Sequence, residues 1–357
     1  MDAFFATIPT HFFYIFQMIK QNNIEECDLY YTNVTKDAEE IVGRIEKLNI
    51  FKNVYLLPNI SIEYPITVKR CVDIAIKKKA VSRLLKGKEY RNVYYDVDGW
   101  LYNSIIFTGL NGKKKQFKNI FVENGVNPYI TSYDSKEWYL RLFINLNGLV
   151  CMDGKYIDER YVLEPSMIGV NQSGVIKKIE KLNSNDDELK EHLNLIFNYD
   201  GELDSFKQND IIIMEQAPRK EPIDMYSLWQ KVGMKINKDR AIIKPHPRQM
   251  DSELRSLGYR TYDRNTIPWE LSLLNENMEN KTIISTFSTT CITPKLMFGQ
   301  EPRIIMLYKL MGRDYSFFGE GMLSFVEKVK NSYENREKFF VPESWEEFDD
   351  YCERYLK

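Results

Sequence analysis

Short apolar runs alternating with helix-like stretches constrain this chain more than any other feature. Strands joined through helices must cross over and pair in parallel. Residues 3–8, 27–32, 53–57, 91–96 and 119–122 read as strands, with helical patterns over 12–20, 37–48 and about 72–86 between them. In the first of those helices Phe12, Phe16, Met18 and Ile19 suit packing on a sheet. From about Leu182 to Asp210 the chain turns polar and loses pattern, apart from an acidic helix over 186–197, and 198–204 reads as a linker. The alternation then restarts. Strands are expected at 211–214, 241–243, 282–285 and 303–307, helices at 225–232, 270–274 and 294–298. A last amphipathic helix over 344–357 carries Trp345, Phe348, Tyr351 and Tyr355 at helical spacing. The expected architecture is α/β: two doubly wound, Rossmann-like domains facing across a cleft, 1–203 and 204–343, followed by the helix 344–357.

A chain of 357 residues is long enough for two cores of this kind. Its 49 basic and 51 acidic side chains leave a net charge of -2, which argues against a general nucleic-acid binder. Runs such as Lys77-Lys78-Lys79 and Lys113-Lys114-Lys115 then read as solvated faces. The five cysteines have no short paired spacing, so neither a disulfide framework nor a zinc site is expected. No stretch is long and charge-free enough to span a bilayer, and the amino terminus lacks the features of a signal peptide. A cytoplasmic protein is expected, with the inner membrane face and a second copy of the chain open as partners.

Chemistry concentrates where strands end. The run Ala241-Ile242-Ile243-Lys244-Pro245-His246-Pro247-Arg248 takes a buried strand directly into three basic side chains at alternate positions. In an extended backbone those three emerge on one side, and the two prolines stop regular ladder pairing. A phosphate-bearing ligand suits the cluster; a proline-stiffened solvated turn is the plainer reading. Ser285-Thr286-Phe287-Ser288-Thr289 follows another strand, and its hydroxyls suit either an oxyanion site or a helix cap. Ile267-Pro268-Trp269-Glu270 places a carboxylate at a helix start, fit for a ribose diol or for favourable charge in the first turn. Glu123 leaves a strand just before Asn124-Gly125, and Asp224 precedes the helix at 225–232. Either carboxylate could serve as a general base, the first otherwise a turn junction and the second a cap. Asp96-Val97-Asp98 resembles a metal–diphosphate motif, but so short a pattern arises by chance.

In order and spacing these pieces resemble the bacterial sialyltransferases of glycosyltransferase family 52. The resemblance runs from Thr7-Ile8-Pro9-Thr10 through Glu123-Asn124-Gly125, Gln216-Ala217-Pro218, Lys244-Pro245-His246-Pro247-Arg248 and Ile267-Pro268-Trp269-Glu270 to Ser288-Thr289. It implies a GT-B arrangement, the first domain on the acceptor side and the second binding the CMP donor. It also implies an inverting, metal-independent transfer from CMP-sialic acid to a hydroxyl of a galactose-ended glycan, with α2,3 linkage the commonest outcome. By the resemblance His246 protonates the leaving phosphate, while Lys244 and Arg248 add positive potential beside Pro247. Ser285, Ser288 and Thr289 line the phosphate site, and Glu270 holds the ribose. The chain departs from the family where Asn124 replaces a second acidic residue, which leaves Glu123 as the carboxylate of that motif. The resemblance places the base between Gln216-Ala217-Pro218 and the His-Pro motif, where Asp224 stands with Glu221 nearby, so Asp224 is favoured as base and Glu123 held second. A CMP-Kdo donor, another nucleotide sugar and a non-catalytic binding module stay open at this stage.

Overall fold

The computed structural model describes residues 1–60, 68–95, 100–114, 116–123, 125–130, 138–152, 154–201, 206–216, 225–246, 253–262, 264, 267–311 and 319–356. The chain divides into two compact units, Met1–Glu180 and Lys181–Lys357.

The first unit is built on strands β1 (Asp2–Ala6), β2 (Cys27–Thr32), β3 (Asn53–Leu57), β4 (Asn92–Tyr95), β5 (Lys118–Val122), β6 (Glu159–Val162) and β7 (Val175–Lys178). All pairings are parallel, in the order β3-β2-β1-β4-β5-β6-β7. The order reverses between β1 and β4, which is the switch point of a doubly wound sheet. Parallel strands covered on both faces read as continuous apolar runs, and β1 is buried at every position. One face packs Phe5, Tyr30 and Tyr95 as a stacked row, with ring centroids 4.5 and 5.9 Å apart. Helix Trp100–Gly109 closes over that face through Ile105, Ile106 and Phe107.

The second unit repeats the plan with β8 (Ile211–Met214), β9 (Ala241–Lys244), β10 (Arg260–Thr261), β11 (Thr282–Ser285), β12 (Arg303–Met306) and β13 (Phe339–Phe340). Their order is β10-β9-β8-β11-β12-β13, again parallel throughout, with the switch point between β8 and β11. Ile211, Ile213, Ile243, Ile284 and Ile305 form one core with helices Met225–Gly233 and Trp345–Tyr355. Strand alternation turns Met214, Lys244 and Ser285 to the opposite face. The acidic helix expected over 186–197 is present as Asp187–Phe197, capped by Asp186, and it lies on Trp269–Asn275. An amide pair, Asn194 with Asn275, joins the two at 2.8–3.0 Å. Among the described residues, no helix is long and apolar enough to cross a membrane.

Candidate functional site

The carboxyl ends of β8, β9 and β11 meet at the switch point of the second sheet, where doubly wound sheets gather ligands. Their register sets Met214 beside both Lys244 and Ser285. One further backbone bond, from Glu215 N–H to the Lys244 carbonyl at 3.1 Å, carries the β8–β9 ladder past the last paired residues. Beyond it Pro245 supplies no N–H, and His246 emerges partly exposed.

Of the three basic side chains expected together, Lys244 is buried, only 7 % exposed, and Arg248 and Pro247 lie outside the described residues. The Lys244 ammonium stands 5.5 Å from the centroid of Tyr262, whose ring stacks on Phe206 at 4.4 Å. Burial pulls the Lys244 pKa below its ordinary value, and the charge of Glu270 only partly opposes this. Glu270 opens helix Trp269–Asn275, whose first indole donates from Nε1 to the Thr290 carbonyl at 3.1 Å. Burial raises the Glu270 pKa, opposed by its own backbone N–H and by Lys244. As a residue Glu270 keeps partial exposure, but its carboxyl is enclosed, and the carboxyl's surroundings set its titration. Each group is thus pushed toward its neutral form.

The Ser/Thr run after β11 divides into two roles. Ser285 is fully buried; its hydroxyl donates to the Met214 carbonyl at 2.8 Å and accepts from Ser288 N–H at 3.2 Å. It therefore ties strand to loop from inside the fold. Ser288 is partly exposed and caps the short turn Thr289–Cys291, its hydroxyl 2.5 Å from that of Thr290. Thr289 is also partly exposed. Thr286, whose hydroxyl the sequence grouped with the oxyanion or capping run, is instead fully buried and donates to the Gln216 side-chain carbonyl at 2.8 Å.

Asp224, Glu221 and Asn124 lie outside the described residues. Glu123 is 1 % exposed at the end of β5, and one carboxylate oxygen accepts from both Tyr129 Oη at 2.5 Å and Leu163 N–H at 2.7 Å. Tyr129 in turn accepts from Glu164 N–H at 3.1 Å, so the cluster binds the β5 and β6 exits together. Burial lifts the Glu123 pKa to about 8, against the pull of Tyr129 and Leu163. The folded state therefore holds a proton that the unfolded chain releases near 4.5. Its stabilising share is full below that value and is lost as pH rises through about 8. Melting temperatures from pH 5 to pH 9 should fall across this range, and Glu123→Gln should flatten the fall. An unchanged slope in the variant would show that Glu123 is ionised in the fold throughout.

His11, at the exit of β1, is fully buried and accepts at Nδ1 from Thr7 N–H and Ile8 N–H, each at 3.2 Å. Those bonds place the imidazole proton on Nε2, a tautomer that braces the Thr7-Ile8-Pro9-Thr10 turn and is unsuited to a base. Among the described residues, no group of three His, Cys, Asp or Glu side chains is placed to hold a metal ion.

No family model matches this chain, and no curated protein matches it in sequence. Solved structures do. LpCGTa in complex with UDP is 10% identical, with a TM-score of 0.52 over 99% of this chain and 90% of that one. The glycotransferase of kitacinnamycin is 7% identical, with a TM-score of 0.52 over 100% and 90%. The calicheamicin glycosyltransferase CalG4 is 7% identical, with a TM-score of 0.50 over 99% and 89%. With two parallel sheets of this order in sequence, the fold is decided. It is GT-B.

In a GT-B chain the likeness accounts for the scaffold and leaves the chemistry to the side chains. The structure brings Lys244, Glu270, Ser288 and Thr289 onto the carboxyl-end loops and first helical turn of one sheet, with His246 leaving the same edge. It puts Glu123 in the other unit, inside a hydrogen-bonded core.

Proposed function

We propose that this chain is an inverting, metal-independent glycosyltransferase that moves sialic acid from CMP-sialic acid to a glycan hydroxyl. The observation that carries the reading is a buried lysine at the carboxyl end of β9, one strand from the switch point of the second sheet, its charge only partly matched by Glu270. A phosphate oxygen would supply a counter-charge to that lysine. The GT-B fold and the UDP bound by one structural neighbour support a nucleotide-sugar donor in general. The order of motifs that resembles family 52 supports CMP-sialic acid in particular.

In this reading Glu270 holds the cytidine ribose, while Ser288 and Thr289 offer hydroxyls to the phosphate. Arg248 adds potential beside Pro247. Ser285 acts indirectly, by fixing the loop. The acceptor oxygen attacks the anomeric carbon in line as the bond from that carbon to the phosphate oxygen breaks. The acceptor proton passes to a carboxylate, for which we favour Asp224, since Glu123 is engaged by Tyr129 and Leu163. The electron pair leaves on the phosphate, which takes a hydrogen bond or proton from His246, and CMP departs. A galactose-ended acceptor and α2,3 linkage complete the proposal, with catalysis on the cytoplasmic side.

A donor screen tests it. CMP-sialic acid, CMP-Kdo and UDP-sugars are compared by thermal shift and by nucleotide release, with lactose as acceptor and EDTA present. CMP release from CMP-sialic acid alone, undiminished by EDTA, is expected. Turnover of CMP-Kdo or a UDP-sugar instead would reassign the donor, and binding without hydrolysis or transfer would make the chain a binding module. If no CMP compound shifts melting or turns over, the CMP reading fails.

A further inference from the structure

Gln216 leaves the central strand of the second sheet with its amide already half committed. It lies two residues past Met214, as His246 lies two past Lys244, and Met214 and Lys244 are paired in register. Continued alternation sets Gln216 and His246 on the same face of the strand exits. The Glu215 N–H bond to the Lys244 carbonyl, at 3.1 Å, keeps the backbone extended to that point. The Gln216 side-chain carbonyl then accepts from Thr286 Oγ1 at 2.8 Å.

Thr286 is fully buried, and its place is fixed by its neighbour Ser285, which is bonded to Met214 and Ser288. A hydroxyl has one proton to donate, and this one goes to Gln216. With the amide oxygen engaged, the planar group turns its N–H2 away from Thr286. Gln216 itself is partly exposed. The loop after β11 thus orients a neutral two-proton donor beside the exit of Lys244 and His246. No part of the resemblance gives either residue a task.

We propose that Gln216 donates a hydrogen bond to an anionic oxygen of the nucleotide sugar, and that Thr286 is its positioning residue. The inference rests on the donor-site reading above. A neutral donor adds grip on an anion without adding to the charge that Lys244 already carries at a desolvation cost. CMP-sialic acid offers such oxygens on two groups, its phosphate and its sugar carboxylate.

The test is calorimetric binding of CMP, cytidine, CMP-sialic acid, UDP and uridine to wild type, Gln216→Glu, Gln216→Met, Thr286→Val and Thr286→Ser. Gln216→Glu keeps an oxygen for Thr286 but replaces the N–H2 with a like charge, and should weaken binding of the anion by about tenfold or more. Gln216→Met removes both functions and, with no charge to repel the anion, should weaken binding less than Gln216→Glu. Loss for CMP but not cytidine assigns the phosphate; loss for CMP-sialic acid alone assigns the carboxylate. Thr286→Val should weaken the same ligand by a few-fold, and Thr286→Ser should restore it. Combining Thr286→Val with Gln216→Met should lose no more than Gln216→Met alone. Equal losses for cytidine and CMP, or no loss at all, would overturn the proposal, as would additive effects of the two positions. If wild type binds UDP and not CMP, the donor reading fails while Gln216 is judged on UDP against uridine. If wild type binds no nucleotide, both fall.

Discussion

His246→Ala is expected to cut transfer from CMP-sialic acid by about 10²–10⁴-fold, the range of a positioned proton donor. The argument is one of place. His246 leaves the β9 exit beside the sheet's switch point, directly after a proline that ends the ladder, with part of its surface open. A side chain there carries little of the core, so the variant should melt within a few degrees of wild type. CMP affinity should fall far less than turnover, because the histidine's main interaction grows as charge develops on the leaving phosphate. Gln at this position keeps an N–H donor but cannot hand over a proton. An intermediate rate for His246→Gln would divide hydrogen bonding from proton transfer, and a rate equal to alanine would assign the whole effect to the proton. Wild-type turnover in His246→Ala would remove the histidine from the mechanism.

The parts of the fold that could be read from sequence are those where local pattern and burial agree. β1, β2, β8, β9 and β11 are short, apolar or β-branched, and buried on both faces, as central parallel strands must be. β6 and β7 escape that reading. β6 carries Glu159 and Arg160, yet both are buried: Glu159 pairs with Lys118 and Lys177 at 2.7 and 2.8 Å, and the Arg160 guanidinium lies 4.6 Å from the centroid of Phe121. β7 is an exposed edge with only two apolar residues, so nothing in its composition marks it. Helix Trp100–Gly109 is apolar almost all round, which removes the amphipathic period that reveals a helix.

The site was legible to the same degree. Strand ends and their charged or hydroxylated residues stand out because β-exits in α/β sheets are where chemistry collects. Which side chain faces ligand and which faces the fold depends on contacts far apart in sequence. Ser285 and Ser288 look equivalent in the chain, but Ser285 bonds to Met214 across 71 residues and is closed off. The Thr286–Gln216 bond spans 70 residues and has no local signal. Lys244 looked like one of three surface cations, and only its neighbours Tyr262 and Glu270 show that it is buried.

That burial yields the second large effect. Lys244→Met should weaken CMP by about 10²-fold or more, the loss expected when a buried charged partner of an anion is truncated. The stability of the empty protein should respond differently with pH. Wild-type Lys244 has a folded pKa below its ordinary 10.5, so the folded state binds fewer protons there and gains stability as pH rises toward that value. Glu270 has a folded pKa above 4.5, so its share of stability is lost as pH rises through the folded value. Removing the lysine removes the charge that restrains Glu270, and its pKa must rise further. At pH 5 the variant should therefore melt near or above wild type, because a desolvated cation has been replaced by an apolar side chain of similar length. At pH 8 it should melt below wild type, since an enclosed carboxylate then faces ionisation without a partner. Lys244→Met with Glu270→Gln should recover the pH 8 loss but not the CMP affinity. The two readouts separate the pair's cost to the fold from its use in binding. Unchanged CMP affinity in Lys244→Met would mean that the phosphate lies elsewhere, and the desolvated lysine would then be a feature of the core alone.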